Sequence, residues 1–145
     1  VNLALEEGGT ILTGGETPEI GPEFEGGNWI TPVVVEGLSH ESRCSTEEIF
    51  GPFVTLHRFF DDEEAITISN NTRYGLAGSI WTREPSRGEE IAKKMDTGMV
   101  WINTWLHRDL RVPFGGVKDS GLGREGGKWS LGFYSEPTNI CIMDE

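Results

Sequence analysis

The chain has 145 residues and a net charge of −12, with 12 Lys and Arg against 24 Asp and Glu. This length, with 36% hydrophobic residues, predicts one globular domain with a sizeable core. An acidic surface repels nucleic acid and anionic membranes, so we expect neither as a partner. No apolar run approaches the roughly 20 residues that cross a bilayer, which also argues against a membrane role.

The cysteines and histidines are few. Cys44 and Cys141 are far apart and form no CxxC motif, which predicts a reducing, cytoplasmic compartment and no disulfide. The three histidines are not at metal-ligand spacing, so we expect no metal site. Residues 1–7 lack the basic segment of a secretory signal. The absence of an initiator Met favours a processed piece or a fragment.

Hydrophobic periodicity and turn residues predict the elements in chain order. They are the end of a helix at 1–7, a strand at 10–13, a loop at 16–27, a strand at 29–35, an irregular segment at 38–49, a strand at 53–60, a helix at 61–70, a strand at 76–82, a helix at 86–97, a strand at 99–103 and a last strand at 138–143. Capping-box patterns begin the two longer helices, with Asp61 and Glu64 in the first and Ser86 and Glu89 in the second.

The alternation of strands and helices across residues 53–103 predicts a βαβαβ unit. Such a unit forms an α/β fold with a parallel sheet and crossover helices. The last strand, residues 138–143, follows a long glycine-rich loop and has no evident partner strand in this unit. We therefore expect it to pair with another domain or subunit, which predicts a homo-oligomer.

The most informative stretch is residues 100–125. The apolar run 100–102 ends on Asn103, and a polar, cationic loop follows at 104–112. Two glycine-rich segments come next, PFGG at 113–116 and SGLGRE at 120–125. A loop that follows a strand and carries aromatic and basic side chains is a typical place for binding groups. Residues 121–126, GLGREG, have the spacing GxGxxG. They do not directly follow one of the predicted strands, as a dinucleotide-binding motif does, so we do not expect a phosphate cradle.

A second loop, EEIFGP at residues 47–52, precedes a strong strand. One interpretation is a turn with two solvated acids and a buried Phe50. The other is a binding loop, in which a carboxylate accepts hydrogen bonds from paired sugar hydroxyls and a ring packs against a flat heterocycle. Both interpretations stay open at this point.

Taken together, these segments resemble the aldehyde dehydrogenase superfamily. EEIFGP, NNTRYGLAGSIWT, GMVWINTW, PFGG and SGLGRE occur here in the order and spacing of that family, over essentially the whole chain. The chain resembles the C-terminal third of such an enzyme. The segments NTWLHRDLRVPFGG, GREGG and FYSEPTNICI are most similar to the branch that oxidises 2-hydroxymuconic and 2-aminomuconic semialdehydes.

The resemblance implies an α/β fold in which residues 1–133 form the C-terminal part of a catalytic domain and residues 134–145 form an oligomerisation strand. The Rossmann domain and the nucleophile region would be absent. The implied activity is NAD-dependent oxidation of a carboxylated semialdehyde to its acid, with this chain inactive alone. The competing hypothesis is a non-enzymatic assembly module that pairs through the terminal strand. NAD against NADP, the oligomer size and the particular semialdehyde stay open.

The resemblance also implies roles for single residues. Glu48 would bind the nicotinamide ribose hydroxyls, and Phe50 would pack beside the nicotinamide. Asn103 would lie at the end of its strand beneath the substrate pocket, and Phe114 would line the aldehyde channel. Residues 105–111 would form the substrate-anchoring loop. We expect the two loops to face a common cleft.

Muconic semialdehydes carry a carboxylate remote from the aldehyde, and a guanidinium can bind such a group through two hydrogen bonds. Arg108, in the middle of the anchoring loop, is our candidate, and Arg111 is the reserve. The alternative is that both are solvated, or that one pairs with Asp109. We expect the neighbouring His107 to be structural.

We assign no catalytic residue to this chain. In the resembling family a Cys thiolate attacks the aldehyde, hydride passes to NAD, and a Glu activates the deacylating water. The Gly-Gln-x-Cys pattern around that nucleophile does not occur here. Cys44 stands at a position that is non-catalytic in the family, and Cys141 lies in the terminal segment.

Overall fold

A computed structural model of the chain describes residues 1–144, so Glu145, the end of the expected 134–145 tail, lies outside the described residues. The helices are α1 (Asn2–Glu6), α2 (Arg43–Thr46), α3 (Asp62–Asn70), α4 (Pro85–Ala92) and α5 (Gly127–Phe133), with a 3-10 turn at Pro22–Phe24. The strands are β1 (Thr10–Thr13), β2 (Val33–Glu36), β3 (Phe53–Leu56), β4 (Tyr74–Gly75), β5 (Ala77–Ile80), β6 (Met99–Ile102) and β7 (Val117–Lys118). The predicted mixed α/β content is confirmed.

Two compact units divide the chain, where we expected one domain. They are Val1–Arg73 and the residues from Tyr74 onward. None of the helices described within residues 1–144 is long and apolar enough to cross a membrane.

The first unit contains a three-stranded sheet in the order β1-β2-β3. β1 pairs with β2 antiparallel, and β2 pairs with β3 parallel. Side chains alternate between the faces of a strand, and on β2 the alternate residues Val33 and Val35 are fully buried. They form a small core with Ala4, Leu38 and Cys44. β2 begins after Pro32, later than predicted, because proline has no N–H to donate to a sheet.

Helix α3 begins where the sequence predicts. The Asp61 carboxylate accepts a hydrogen bond from the Glu64 amide at 2.9 Å, which is the expected N-cap. The Glu64 carboxylate in turn accepts from the amide of Phe60, at 2.7 Å. The second capping box, Ser86 with Glu89, is wrong: α4 begins at Pro85 with no side-chain cap and ends at Ala92. Proline suits the first helical position because its missing N–H would be unpaired there anyway.

The second unit contains two separate strand pairs. β5 pairs with β6 in parallel, with α4 between them in the chain, and β4 pairs with β7 antiparallel. The predicted single parallel sheet across residues 53–103 is therefore wrong, because β3 and β5 lie in separate sheets. Periodicity indicates where strands form, but it does not specify which strands become neighbours.

The terminal segment does not form the predicted strand. Residues 135–144 have neither helix nor strand structure, and Ile140, Ile142 and Met143 are exposed, at 78%, 81% and 92%. A strand needs a neighbour for its backbone hydrogen bonds, and this segment has none among the described residues. Its pairing with another domain or subunit stays a prediction. The helix α5, just before it, was not predicted, since its sequence is glycine-rich.

We predict that Gly98→Ala destabilises the second unit. A Cβ at Gly98 would lie 1.7 Å from the carbonyl oxygen of Gly115, so the backbone itself would have to move. Overpacking of this kind typically costs about 1–3 kcal/mol. Denaturant unfolding measures the loss. The matched control is Gly132→Ala in α5, where the new methyl meets no atom within 4 Å and the helix gains about 0.5–1 kcal/mol. Equal stabilities for the two variants would contradict this packing.

Candidate functional site

Asn103 lies directly after β6, as the sequence predicts, and it joins the ends of two strands. Its amide N–H donates to the Ile80 carbonyl at 2.8 Å. Its side chain donates to the Thr82 carbonyl and accepts from the Thr82 amide, both at 2.8 Å. Its φ is +54°, a conformation that asparagine tolerates better than most residues. The side chain therefore continues the β5–β6 pairing and directs the chain into the following loop.

That loop folds back over β6 and is attached to it. The indole N–H of Trp101 donates to the carbonyl oxygen of His107 at 2.8 Å. The rings of Trp101 and Trp105 meet edge to face with centroids 5.1 Å apart. Leu106 takes a φ of +55°, so the chain turns sharply between the two contacts. His107 thus contributes to this attachment through its backbone carbonyl, and a structural role for its side chain stays a prediction.

Arg108 and Phe114 are brought together over one hollow. The Arg108 guanidinium carbon lies 4.0 Å from the centroid of the Phe114 ring, a cation–π contact. The hollow has a volume of about 280 Å³ and lies between β6 and the loop. Its wall is largely apolar, with Met99, Val100, Trp101, Leu110, Val112, Pro113 and Phe114 among the lining residues. Asn103 does not line it.

The two arginines of the loop differ in their partners. Arg111 pairs with Asp109 through two nitrogens, with Nε at 2.9 Å and Nη2 at 2.5 Å from the carboxylate oxygens. This pairing lowers the pKa of Asp109 and raises the pKa of Arg111. Arg108 has no carboxylate partner among the residues that the structure describes. The ion pair with Asp109, which was the alternative interpretation, is therefore made by Arg111 and not by Arg108.

The two glycine-rich segments hold Phe114 in place. The backbones of Phe114 and Glu125 exchange hydrogen bonds of 2.9 and 2.8 Å. The Arg124 guanidinium donates to the carbonyl of Gly116 at 2.8 Å and to that of Gly123 at 2.6 Å. The segments 113–116 and 120–125 therefore form one structure. The expectation that these segments form no phosphate cradle stays a prediction.

In the acidic loop of the first unit, residues 47–52, the neighbouring Glu47 and Glu48 also differ in their partners. Arg43 binds Glu47 through Nε and Nη2, at 2.8 and 3.0 Å, and these hydrogen bonds lower the pKa of Glu47. Glu48 is exposed and has no partner among the described residues. Phe50 is 92% exposed with a φ of +53°, so the interpretation with a buried Phe50 is wrong. This loop presents one available carboxylate and one available ring.

Glu7 supports this loop from a distance along the chain. Its carboxylate accepts from the amides of Arg43 and Cys44, at 2.9 and 3.1 Å, and so holds the start of α2, just before the loop. Residues 38–49 were predicted to be irregular, and α2 was missed. Burial, together with a hydrogen bond to Glu7, raises the pKa of the Cys44 thiol. The thiolate is therefore disfavoured.

The two loops belong to different units of the chain, and the expected common cleft stays a prediction. Sequence reasoning missed Glu7 and Trp101 as supporting residues. A signal existed for Trp101, since an indole N–H in an apolar strand needs an acceptor, and a polar loop follows at once. In the residues 1–144, no three His, Cys, Asp or Glu side chains are grouped to hold a metal ion.

A model of the aldehyde dehydrogenase family matches residues 1–140, and the chain belongs to that family. It is 50% identical over 140 residues to the 2-aminomuconic 6-semialdehyde dehydrogenase of Pseudomonas sp., covering 97% of this chain and 28% of that protein. It is 48% identical to the 2-hydroxymuconic semialdehyde dehydrogenase of Pseudomonas sp. (strain CF600), covering 96% and 29%. The chain thus spans under a third of the length of these curated relatives.

Among solved structures, the chain is similar to PnpE from Pseudomonas sp. WBC-3 in complex with nicotinamide adenine dinucleotide. The identity is 42%, the TM-score is 0.86, and the match covers 93% of this chain and 27% of that one. This match shows that the chain has the fold of the corresponding part of an aldehyde dehydrogenase. The cofactor in that complex is NAD, the one that the sequence resemblance implied.

Proposed function

We propose that this chain supplies two binding loops of an NAD-dependent dehydrogenase, which oxidises a carboxylated semialdehyde of the 2-hydroxymuconic or 2-aminomuconic class to its acid. The single observation that carries the substrate class is the pair of loop arginines. Arg111 is neutralised by Asp109. Arg108 lies over Phe114 at a largely apolar hollow and has no carboxylate partner among the described residues.

The chemistry of the hollow suits a chain with a charged end. Its apolar wall can pack against an unsaturated carbon chain, and Arg108 can bind the remote carboxylate through two hydrogen bonds. Asp109 and Glu125 also line the hollow. The charge of Asp109 is already balanced by Arg111, so it opposes an anionic substrate less than an unpaired acid would.

The cofactor side of the proposal rests on the acidic loop. Glu48 is the carboxylate that can accept hydrogen bonds from the two hydroxyls of the nicotinamide ribose, and the exposed ring of Phe50 can pack beside the nicotinamide. Glu47 is less suited because Arg43 occupies its oxygens. NAD is favoured as the cofactor by its presence in the PnpE complex.

We infer that the chemical step uses groups from outside this chain. Cys44 is buried with a raised pKa, and Cys141 lies in an exposed irregular segment. We therefore propose that the nucleophilic thiol and the deacylating carboxylate lie in sequence outside these 145 residues, and that the chain alone is inactive. Asn103, close after β6, would act by fixing the start of the anchoring loop.

The exposed apolar tail, Ile140 to Met143, supports association with another domain or subunit through a terminal strand. An oligomeric enzyme uses such a strand in assembly, and so would a non-enzymatic module. The two hypotheses differ in turnover, so activity decides between them.

The test compares two proteins. A full-length enzyme that carries this segment should reduce NAD with 2-hydroxymuconic semialdehyde, with kcat/KM at least about tenfold above that for a neutral aldehyde of similar length, as a lost charge-assisted hydrogen bond implies. The 145-residue chain alone should give no NADH absorbance at 340 nm. Turnover by the chain alone would refute the proposal that the catalytic thiol and carboxylate lie outside these 145 residues. A full-length protein without activity towards any aldehyde would favour the assembly module.

A further inference from the structure

We infer that Trp101 is a positioning residue for Arg108, and that its indole N–H sets the preference for a carboxylated aldehyde. This inference rests on the proposed function. Trp101 is on β6, a strand paired over its whole length with β5, whereas Arg108 is in an irregular loop. The hydrogen bond of 2.8 Å from Trp101 Nε1 to the His107 carbonyl joins the strand to the residue next to Arg108.

The loop needs such an attachment because its own backbone holds it weakly. Between Thr104 and Arg108 it forms no helix or strand, and Leu106 has a positive φ of +55°. Several of its side chains are solvent-exposed, including Trp105, Leu106, His107 and Arg108. A long arginine loses rotamer freedom when it binds a ligand, so a backbone fixed in advance reduces the ordering needed.

The neighbouring contacts support an effect of the attachment on Arg108 as well as on the fold. Trp101 and Arg108 both line the hollow that contains Phe114. Phe114 is held separately, through its backbone pairing with Glu125. Fixing His107 therefore fixes the backbone position from which the Arg108 side chain reaches the Phe114 ring, whose own position is already determined. Loss of the indole N–H would leave the Phe114 ring in place and would remove the hydrogen bond that holds His107, next to Arg108.

The experiment uses Trp101→Phe in the full-length enzyme, which keeps an aromatic ring and removes the N–H. One net hydrogen bond corresponds to about a 3- to 10-fold change. We expect KM for 2-hydroxymuconic semialdehyde to rise by that factor, with kcat and the KM of a neutral aldehyde changed less than about twofold, as for an interaction made in binding. The control is Trp81→Phe, which removes an indole N–H bonded to Ser79 Oγ at 3.2 Å, away from the hollow. It should leave the ratio of the two KM values unchanged.

A double-mutant cycle separates this inference from the proposed function. If Trp101 acts through Arg108, adding Trp101→Phe to Arg108→Ala should change the KM ratio by less than about twofold. Two results would overturn the positioning role alone, provided that Arg108→Ala raises KM selectively for the carboxylated aldehyde. One is a Trp101→Phe variant that raises both KM values equally. The other is a double variant in which the effects of the two substitutions on the KM ratio are fully additive. An Arg108→Ala variant without selectivity would overturn both.

Should Trp101→Phe fail to fold, hydrogen exchange in the unsubstituted enzyme replaces it. With 15N-labelled tryptophan, the indole hydrogen of Trp101 should exchange more slowly than that of Trp105, which has no acceptor among the described residues. The diacid product should slow the Trp101 exchange further, since its remote carboxylate would bind Arg108 and so order the loop. Equal exchange at the two indoles, or no response to the diacid, would overturn the inference.

Discussion

Arg108→Ala in the full-length enzyme should raise KM for 2-hydroxymuconic semialdehyde by about 10- to 100-fold, because a charge-assisted hydrogen bond to a carboxylate is among the stronger contacts in a binding site. The KM for a neutral aldehyde should rise less than about threefold, since it has no carboxylate to lose. Steady-state kinetics with both aldehydes measures the difference. Arg108 carries this expectation because its guanidinium lies against Phe114 and has no acidic partner in the described chain.

The control is Arg111→Ala. Its guanidinium is occupied by Asp109, so we expect a smaller and less selective change in KM. Releasing Asp109 next to the hollow would weaken anion binding somewhat, and this effect would be relieved in Arg111→Ala combined with Asp109→Asn. If Arg111→Ala were the selective variant and Arg108→Ala were not, Arg111 rather than Arg108 would be the residue that binds the substrate carboxylate.

Glu48→Ala should weaken NAD binding by about 10- to 100-fold, since a carboxylate that accepts from two ribose hydroxyls makes two charge-assisted hydrogen bonds. Isothermal titration calorimetry of the full-length enzyme with NAD gives the Kd directly. The KM for the aldehyde should change little at saturating NAD. The reason for choosing this residue is that the carboxylate is exposed and has no partner among residues 1–144.

Glu47→Ala is the matched control, one residue away in the same loop. Its carboxylate is bound to Arg43, so its loss should change the Kd for NAD less than about threefold, as is usual for exposed ion pairs. Equal effects of the two substitutions would show that general loop order or charge, rather than a specific contact of Glu48, controls cofactor binding.

The parts of the fold that sequence predicted well are those determined locally. Asp61 and Glu64 are three residues apart, and their hydrogen bonds form within one helical turn, so their pattern indicated the start of α3. The run before Asn103 is short and apolar, and β6 ends at Ile102, one residue before the predicted end. The second capping box failed because Pro85 offered a competing start one residue before Ser86, and local patterns do not decide between two starts.

The parts that sequence could not predict depend on residues far apart in the chain. Glu7 binds backbone amides 36 and 37 residues away, and nothing near residue 7 indicates that. The choice between Arg108 and Arg111 depends on which of them Asp109 reaches. The terminal segment alternates as a strand does, yet a strand forms only when another supplies its hydrogen bonds, and that partner is not encoded within the segment.

A crystal structure of the full-length enzyme with NAD and the diacid product tests the central claim most directly. The account predicts that the product carboxylate remote from the reacting carbon lies within hydrogen-bond distance of both terminal nitrogens of Arg108, with the carbon chain against Phe114. A product carboxylate bound by other groups, with Arg108 still lying over Phe114 and solvated, would contradict it.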